Sequence, residues 1–93
     1  MTVVLSVLDR AWGLSPQVSV RPERFGALLY HFGTRRLSFL KDPLLLTVVQ
    51  SLDDAPTARV ACERAGVAES ALPAFEKALA RLADTDMLQE RAS

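Results

Sequence analysis

The segment GALLYHFGTRRLSFLKDP, residues 26–43, constrains the fold of this chain more than any other part of it. Two runs of alternating apolar residues lie on either side of Gly33 and Thr34, which is the pattern of a β-hairpin. Asp42 and Pro43 then end the strand pattern, because Asp is a favoured N-cap and Pro fits the first position of a helix. The segment therefore predicts a hairpin whose second strand leads directly into a helix.

A further strand is predicted before the hairpin. Residues 17–23 alternate valines with polar residues, and Pro16 and Pro22 are expected to bound this strand because proline cannot donate to a ladder. Residues 26–32 are apolar on both faces, which is typical of a central strand. We expect Gly33 to supply a positive φ in the turn that follows.

Three helices are predicted after the hairpin. The first extends to about Leu52 and carries one wide apolar stripe. Thr57 is expected to cap the second helix, which Gly66 ends in the left-handed conformation, and Ser70 is expected to cap the third. Residues 87–91 can form a short C-terminal strand.

This order of elements predicts the fold class, which is α+β and winged-helix-like: a three-stranded antiparallel sheet followed by three helices. We expect residues 16–93 to form the winged-helix-like domain and residues 1–15 to form an N-terminal arm. Trp12 is predicted to anchor this arm over the core. The apolar start of the arm, TVVLSVL, fits either a strand or a short helix.

The composition argues against several classes of function. Cys62 is the only cysteine and His31 the only histidine, so neither a disulfide within the chain nor a cysteine-built metal site is expected. The four glycines are scattered and no nucleophile–base arrangement is present, so the chain is predicted not to be an enzyme and to hold no cofactor and no metal. No stretch approaches the roughly 20 apolar residues of a membrane span, and no signal-peptide pattern is present. We therefore expect a cytoplasmic protein with no membrane partner.

The predicted third helix argues against DNA binding, which is a common role of winged helices. Its outward face is expected to carry Lys77, Arg81 and Asp84, it holds no Asn or Gln to contact adenine, and the formal net charge of the chain is zero. No nucleic-acid partner is therefore predicted, and a winged-helix transcription regulator remains the alternative function.

The second hairpin strand, RRLSFL, is predicted to leave one edge of the sheet free beside an alanine-rich flank of the third helix. Arg35, Arg36 and Lys41 either protect this edge from aggregation or attract an acidic peptide that adds a strand to it. The pattern alone favours neither interpretation. Peptide binding would also need apolar anchors, and Phe39 is one of the side chains expected to receive them. A third option is a dimer in which this strand pairs with its own copy or with TVVLSVL.

The segment RPERFGALLYHFGTRRLSFLKDP, with the apolar helix and the helical ending after it, resembles the peptide chaperones of the mycofactocin biosynthetic system. These belong, with the related pyrroloquinoline-quinone peptide chaperones, to the recognition elements of ribosomally made, modified peptides. The pyrroloquinoline-quinone branch shares Leu28-Leu29-Tyr30 but not the HFGTRRLSFLKDP that follows. The resemblance extends over roughly residues 9–91.

The resemblance implies a non-catalytic adaptor that binds the leader of a precursor peptide and delivers the precursor to a radical S-adenosylmethionine maturase. The leader would add to the third strand, in the groove against the third helix. The iron–sulfur cluster and S-adenosylmethionine would belong to the maturase. The predicted site residues, those on the helix taken from a helical wheel, are Arg35, Arg36, Leu37, Ser38, Phe39, Leu40, Ala71, Ala74, Phe75, Ala78 and Arg81.

Overall fold

The computed structural model describes residues 6–91, and its elements follow the predicted order. The strands are β1 Trp12–Leu14, β2 Val18–Glu23, β3 Gly26–His31, β4 Leu37–Leu40 and β5 Leu88–Glu90. The helices are α1 Pro43–Ser51, α2 Ala58–Ala65 and α3 Leu72–Asp84, and short 3₁₀ turns lie at Val7–Asp9, Leu52–Asp54 and Glu69–Ala71. The α+β class, with a three-stranded sheet, three helices and a short C-terminal strand, is confirmed.

Strands β2, β3 and β4 form one antiparallel sheet in that order, with β3 in the centre as predicted. Ala27 and Leu29 of β3 lie opposite Leu40 and Ser38 of β4, respectively. Ala27, Leu29 and Leu40 are buried, so these residues mark the core face of the sheet. Because side chains alternate along a strand, the residues between them point away from the core.

Pro22 lies inside β2, opposite Ala27, and the prediction that it bounds the strand is wrong. The N–H of Phe32 donates to the carbonyl of Gln17 at 2.8 Å. The alternation of an antiparallel ladder then directs the Pro22 nitrogen toward the outer edge of the sheet. Since β2 is an edge strand, the missing N–H removes no ladder bond there.

The turn between β3 and β4 differs from the prediction, because the positive φ belongs to Arg35, at 61°, and not to Gly33. The imidazole of His31 organises this turn: its Nδ1 accepts hydrogen bonds from the N–H groups of Gly33 and Thr34, both at 3.0 Å. A Cβ on Gly33 would lie 2.9 Å from Cε1 of His31. The Gln17 side chain lies even closer to this point, so the close approach of two side chains, and not a left-handed conformation, favours glycine here.

The first two helices begin and end as predicted. The carboxylate of Asp42 accepts from the N–H of Leu44 at 2.9 Å, and the hydroxyl of Thr57 accepts from the N–H of Val60 at 3.2 Å. Gly66 ends α2 with a φ of 90°. The apolar stripe of α1 is buried against the sheet and α2, and its buried residues are Leu45, Val48 and Val49.

The start of α3 corrects the prediction that Ser70 caps it. Ser70 lies in the middle of a 3₁₀ turn that continues into the helix, and the residue before Leu72 makes no side-chain cap bond. An N-cap side chain needs an extended backbone at its own residue, and in this connection Ala68 has that conformation. The turn therefore places the serine two positions beyond the extended residue, inside the helical region, where it cannot cap.

The segment before β2 packs into the fold through a second sheet, in which β1 pairs with β5. The indole N–H of Trp12 donates to the carbonyl of Val7 at 2.8 Å, and the Trp12 side chain is buried, as expected of an anchor. Residues 1–5, which begin the predicted arm, lie outside the described residues. The division of the chain at residue 15 stays a prediction. None of the helices within residues 6–91 has the length and apolar character to span a membrane.

Candidate functional site

The outer edge of β4 is defined by the hydrogen bonds that close the turn between β3 and β4. The carbonyl of Arg36 accepts from the N–H of His31 at 3.0 Å, and the carbonyl of His31 accepts from the N–H of Arg35 at 2.7 Å, so both backbone groups of His31 are directed toward the β4 segment. In an antiparallel ladder hydrogen-bonded and non-hydrogen-bonded pairs alternate, which directs the backbone of Ser38 and Leu40 toward β3. The N–H and C=O groups of Leu37 and Phe39 point the other way. Within the described part of the chain, β4 has β3 as its only strand neighbour.

A cleft runs along this free edge between β4 and α3, and we call it the β4–α3 cleft. It consists of two adjoining hollows of about 350 and 230 Å³, which share Leu45 and Ala78. The first hollow is lined by Leu37, Ser38, Phe39, Leu40, Leu45, Ala78, Arg81, Leu82 and Thr85. The second is lined by Lys41, Asp42, Leu45, Ala74, Phe75 and Ala78. The larger hollow extends along all four residues of β4, and the smaller one adjoins it at Leu45 and Ala78.

Most of the wall of the cleft is apolar. Leu40 and Phe75 are buried where the cleft meets the core, and Leu45 contributes from α1. Ala74 and Ala78 form the α3 wall, and their methyl groups leave room that longer side chains would fill. A cleft with this shape and lining suits an extended chain that buries alternate apolar side chains.

Cations lie around the cleft. Lys41 lines one of its ends and Arg81 the other, and Arg35 and Arg36 are exposed beside the start of β4. The one carboxylate in the lining, Asp42, is the N-cap of α1 and accepts a hydrogen bond from the N–H of Leu44. The electrostatics of this edge therefore favour a partner that carries negative charge.

The structure brings eight of the eleven predicted site residues into the cleft lining. They are Leu37, Ser38, Phe39, Leu40, Ala74, Phe75, Ala78 and Arg81. Arg35 and Arg36 lie in the turn before β4, and Ala71 lies in the 3₁₀ turn before α3, packed against the core. These three residues are outside the lining of the two hollows.

Five lining residues are absent from the predicted set: Lys41, Asp42, Leu45, Leu82 and Thr85. Helical spacing predicts two of them, because residues four apart share a helix face. Leu82 follows Ala78 by four residues, and Thr85 follows Arg81 by four. Leu45 is different, since it belongs to the buried stripe of α1. Its place in the cleft depends on how α1 packs against the sheet.

The ring of Phe39 does not enter the cleft, contrary to the expectation that it receives an apolar anchor there. Phe39 lies opposite Leu28 and leaves β4 on the face away from buried Leu40. Its ring lies next to that of Phe25, with the ring centroids 6.3 Å apart. Phe39 thus contributes backbone groups to the edge of the cleft while its side chain faces the outside of the sheet.

Cys62 lies on α2 with its side chain buried in the core. Burial raises the pKa of its thiol, because the thiolate would lose its hydration. Within residues 6–91, no three His, Cys, Asp or Glu side chains come together in an arrangement suited to a metal ion.

The fold and the cleft define a small winged-helix-like α+β protein whose edge strand lies open beside an apolar cleft. A family model described as the peptide chaperone MftB family matches residues 11–89. The chain is 57% identical over 83 residues to the peptide chaperone MftB of Mycobacterium tuberculosis, covering 89% of this chain and 76% of the relative. It is 58% identical over 80 residues to that of Mycobacterium ulcerans, covering 86% and 73%. For Mycolicibacterium smegmatis the identity is 54% over 80 residues, covering 86% and 78%.

The chain belongs to the MftB peptide chaperone family. The resemblance to the mycofactocin-system chaperones, which residues 26–43 carry most specifically, is thereby confirmed. No solved structure matches the chain.

Proposed function

We propose that this chain is a peptide chaperone that binds the leader of the mycofactocin precursor peptide by adding it as a strand to β4, inside the β4–α3 cleft. The observation that carries this proposal is the orientation of Leu37 and Phe39. Their backbone donors and acceptors face the cleft edge, and within residues 6–91 no other strand pairs with them. An open edge of this kind is a known template for strand addition.

Backbone bonds alone do not account for useful affinity. The outward N–H and C=O groups of Leu37 and Phe39 offer four bonds, each contributing about 0.5–1.5 kcal/mol. Association costs on the order of 4–15 kcal/mol, and micromolar binding needs about 8 kcal/mol net. The remainder must come from apolar side chains of the leader, which contribute about 1.5–3 kcal/mol each when buried. The apolar floor at Leu45 and the alanine wall of α3 are suited to receive them.

We further propose that the chaperone acts in the cytoplasm as a non-catalytic adaptor and delivers the bound precursor to a radical S-adenosylmethionine maturase. In this proposal the redox cofactor chemistry belongs to the maturase, and this chain holds the peptide in an extended form. The basic surroundings of the cleft favour a leader that carries Asp or Glu beside its apolar anchors. The family membership supports this role, since the relatives are named as peptide chaperones.

Amide NMR of the ¹⁵N-labelled chain, titrated with a synthetic leader peptide, tests the site. We expect the largest shifts at residues 37–41 and 74–85, with slowed hydrogen exchange of the Leu37 and Phe39 amides. A set of shifts centred elsewhere would reject the cleft as the site. The alternative, a winged-helix transcription regulator, requires retention of duplex DNA in a mobility assay at moderate salt, and we expect no retention.

Delivery to the maturase is tested separately, by following modification of the precursor with and without the chaperone. We expect the rate of modification to rise when the chain is added, and to return to its basal value with a precursor that lacks its leader. Leader binding without any effect on the modification rate would limit the function to peptide capture.

A further inference from the structure

The outer face of the three-stranded sheet carries an apolar surface on the side away from the core, and it meets the leader cleft only at Leu37 and Phe39 of β4. Four large apolar side chains are exposed on it: Phe25 at 45%, Phe32 at 60%, Leu37 at 54% and Phe39 at 60%. Together with the half-buried Leu28 and Tyr30 they form what we call the aromatic face. Soluble proteins rarely expose a contiguous set of this kind unless a partner covers it.

The register of the sheet makes the aromatic face continuous. Leu28 lies opposite Phe39 and Tyr30 lies opposite Leu37, so each pair is adjacent across β3 and β4. Both pairs are non-hydrogen-bonded positions, where opposing side chains lie closest. The rings of Phe25 and Phe39 extend the surface at one end, with centroids 6.3 Å apart, and those of Tyr30 and Phe32 at the other, 5.2 Å apart.

The sheet also concentrates positive charge. Residues 18–41 contain one carboxylate, Glu23, and five cations: Arg21, Arg24, Arg35, Arg36 and Lys41. The chain has 11 basic and 11 acidic residues in all, so this segment has a formal charge of +4 and the remainder has −4. Arg21 lies opposite Leu28, on the aromatic face itself. An apolar surface with a basic rim fits a partner surface that is apolar at its centre and acidic at its edge.

We propose that the aromatic face is the docking surface for the maturase, at an apolar patch bordered by Asp and Glu on that enzyme. This inference rests on the proposed function. Two copies of this chain packed face to face would oppose two basic rims, which disfavours self-association through this surface. The paired rings of Tyr30 and Phe32 meet edge to face, with 78° between their planes, and so do not form a flat platform on which nucleic-acid bases stack.

Strand β4 connects the two surfaces. The backbone of Leu37 and Phe39 faces the leader cleft, while their side chains belong to the aromatic face. An enzyme docked on the aromatic face would therefore lie directly beside the bound leader. This arrangement lets the chaperone hold the peptide and the enzyme at the same time without competition between them.

Two pairs of substitutions outside the proposed leader site test the inference. Phe25→Ser with Phe32→Ser removes aromatic contacts at both ends of the face. Arg21→Glu with Arg24→Glu reverses the charge of two residues at the rim of the face. Arg64→Glu with Lys77→Glu is the control, because it makes the same change in charge away from the face. Affinities for the purified radical S-adenosylmethionine enzyme of the mycofactocin system and for a synthetic leader are measured separately, with circular dichroism and NMR spectra as checks of folding.

We expect the aromatic variant to bind the enzyme about 100-fold more weakly and the leader within about twofold of the unmodified chain, since buried aromatic anchors dominate such interfaces. We expect the rim variant to bind the enzyme about tenfold more weakly, with a slower association rate, and the control pair to leave enzyme binding unchanged.

If both the aromatic and the rim variant bind the enzyme as tightly as the unmodified chain, the inference is overturned, while the proposed leader binding is unaffected. If the unmodified chain does not bind the synthetic leader, the proposed function is overturned instead. Concentration-dependent dimerisation, or retention of single-stranded RNA, that the aromatic variant abolishes would assign the face to a different partner and reject the inference.

Discussion

The carbonyl of Arg36 accepts a hydrogen bond from the N–H of His31 at 3.0 Å, and this pair determines which backbone groups of β4 face the protein and which face the cleft. A register shifted by one residue would direct the Leu37 and Phe39 backbone groups inward and would move Leu40 out of the core. The geometry of the turn thus controls both the core and the edge. The tight turn around the His31 imidazole holds this register.

Replacing Phe39 by proline should weaken leader binding by about tenfold or more, since the outward N–H is lost and the pyrrolidine ring obstructs the edge. Phe39→Ala is the matched control, because it keeps the N–H and removes a ring that lies outside the cleft. We expect its leader affinity to stay within about threefold. Isothermal titration with synthetic leader measures both. Equal losses in the two variants would contradict strand addition at this residue.

The proline variant should fold. The backbone nitrogen of residue 39 points away from β3, so proline removes no ladder bond there. Pro22 of β2 has the same orientation relative to β3. Circular dichroism and the amide spectrum of residues 26–31 check this. Disruption of the β3–β4 pairing would show that the assigned direction of the Phe39 N–H is wrong.

Ala74→Leu should also weaken leader binding about tenfold, because the larger side chain fills the cleft between α3 and β4. Leucine and alanine are both good helix formers, so α3 itself should remain intact. Lys77→Leu places the same side chain at an exposed position of α3 outside the cleft lining. Fluorescence anisotropy of a labelled leader should separate the two variants, and similar affinities would place the leader elsewhere.

Gly26→Ala should lower the free energy of unfolding by about 3 kcal/mol or more, because two penalties combine. Gly26 has a φ of +148°, and an added Cβ would lie 2.9 Å from the carbonyl carbon of Leu40 and 3.1 Å from the Asp42 nitrogen. Gly66→Ala is the control, since its φ is also positive, at +90°, but no atom lies within 4 Å of the added Cβ. We expect it to cost only about 1–2 kcal/mol.

Urea unfolding of these two variants gives the comparison. The Gly26 variant should in addition shift the amides at the end of β4 and the start of α1, because the backbone there must move to relieve the contact. If Gly66→Ala destabilises the protein as much as Gly26→Ala, the close approach of β3 to Leu40 is not the cause.

Stability should decline at alkaline pH because of Cys62. Burial raises the pKa of the folded-state thiol, whereas in the unfolded chain the thiol ionises near pH 8.5. Above about that pH the unfolded state releases a proton that the folded state keeps, so the free energy of unfolding falls by at most about 1.4 kcal/mol per pH unit until the folded-state pKa is reached. Urea midpoints at pH 8–10 should therefore slope more steeply for the natural chain than for Cys62→Ala. Parallel slopes would show that the thiol ionises equally in both states.

Much of the fold is visible in the sequence because it depends on local chemistry. Asp42, Thr57 and Gly66 occupy the cap positions predicted for them, and each acts on backbone groups within a few residues. The central place of β3 likewise follows from apolar residues on both of its faces. The start of α3 was predicted less well, because the 3₁₀ turn before it also fits a serine followed by helix-forming residues.

The sequence by itself therefore determined the order of strands and helices, their caps and the existence of an edge strand, since periodicity and capping act between near neighbours. Only the tertiary structure decided that Leu45 lines the cleft and that the ring of Phe39 meets Phe25 on the opposite face. The positive φ at Arg35 was also decided there, through the contact of the turn with the His31 ring. These features depend on register and on packing between elements that are distant in the chain, and no pattern of nearby residues specifies such contacts.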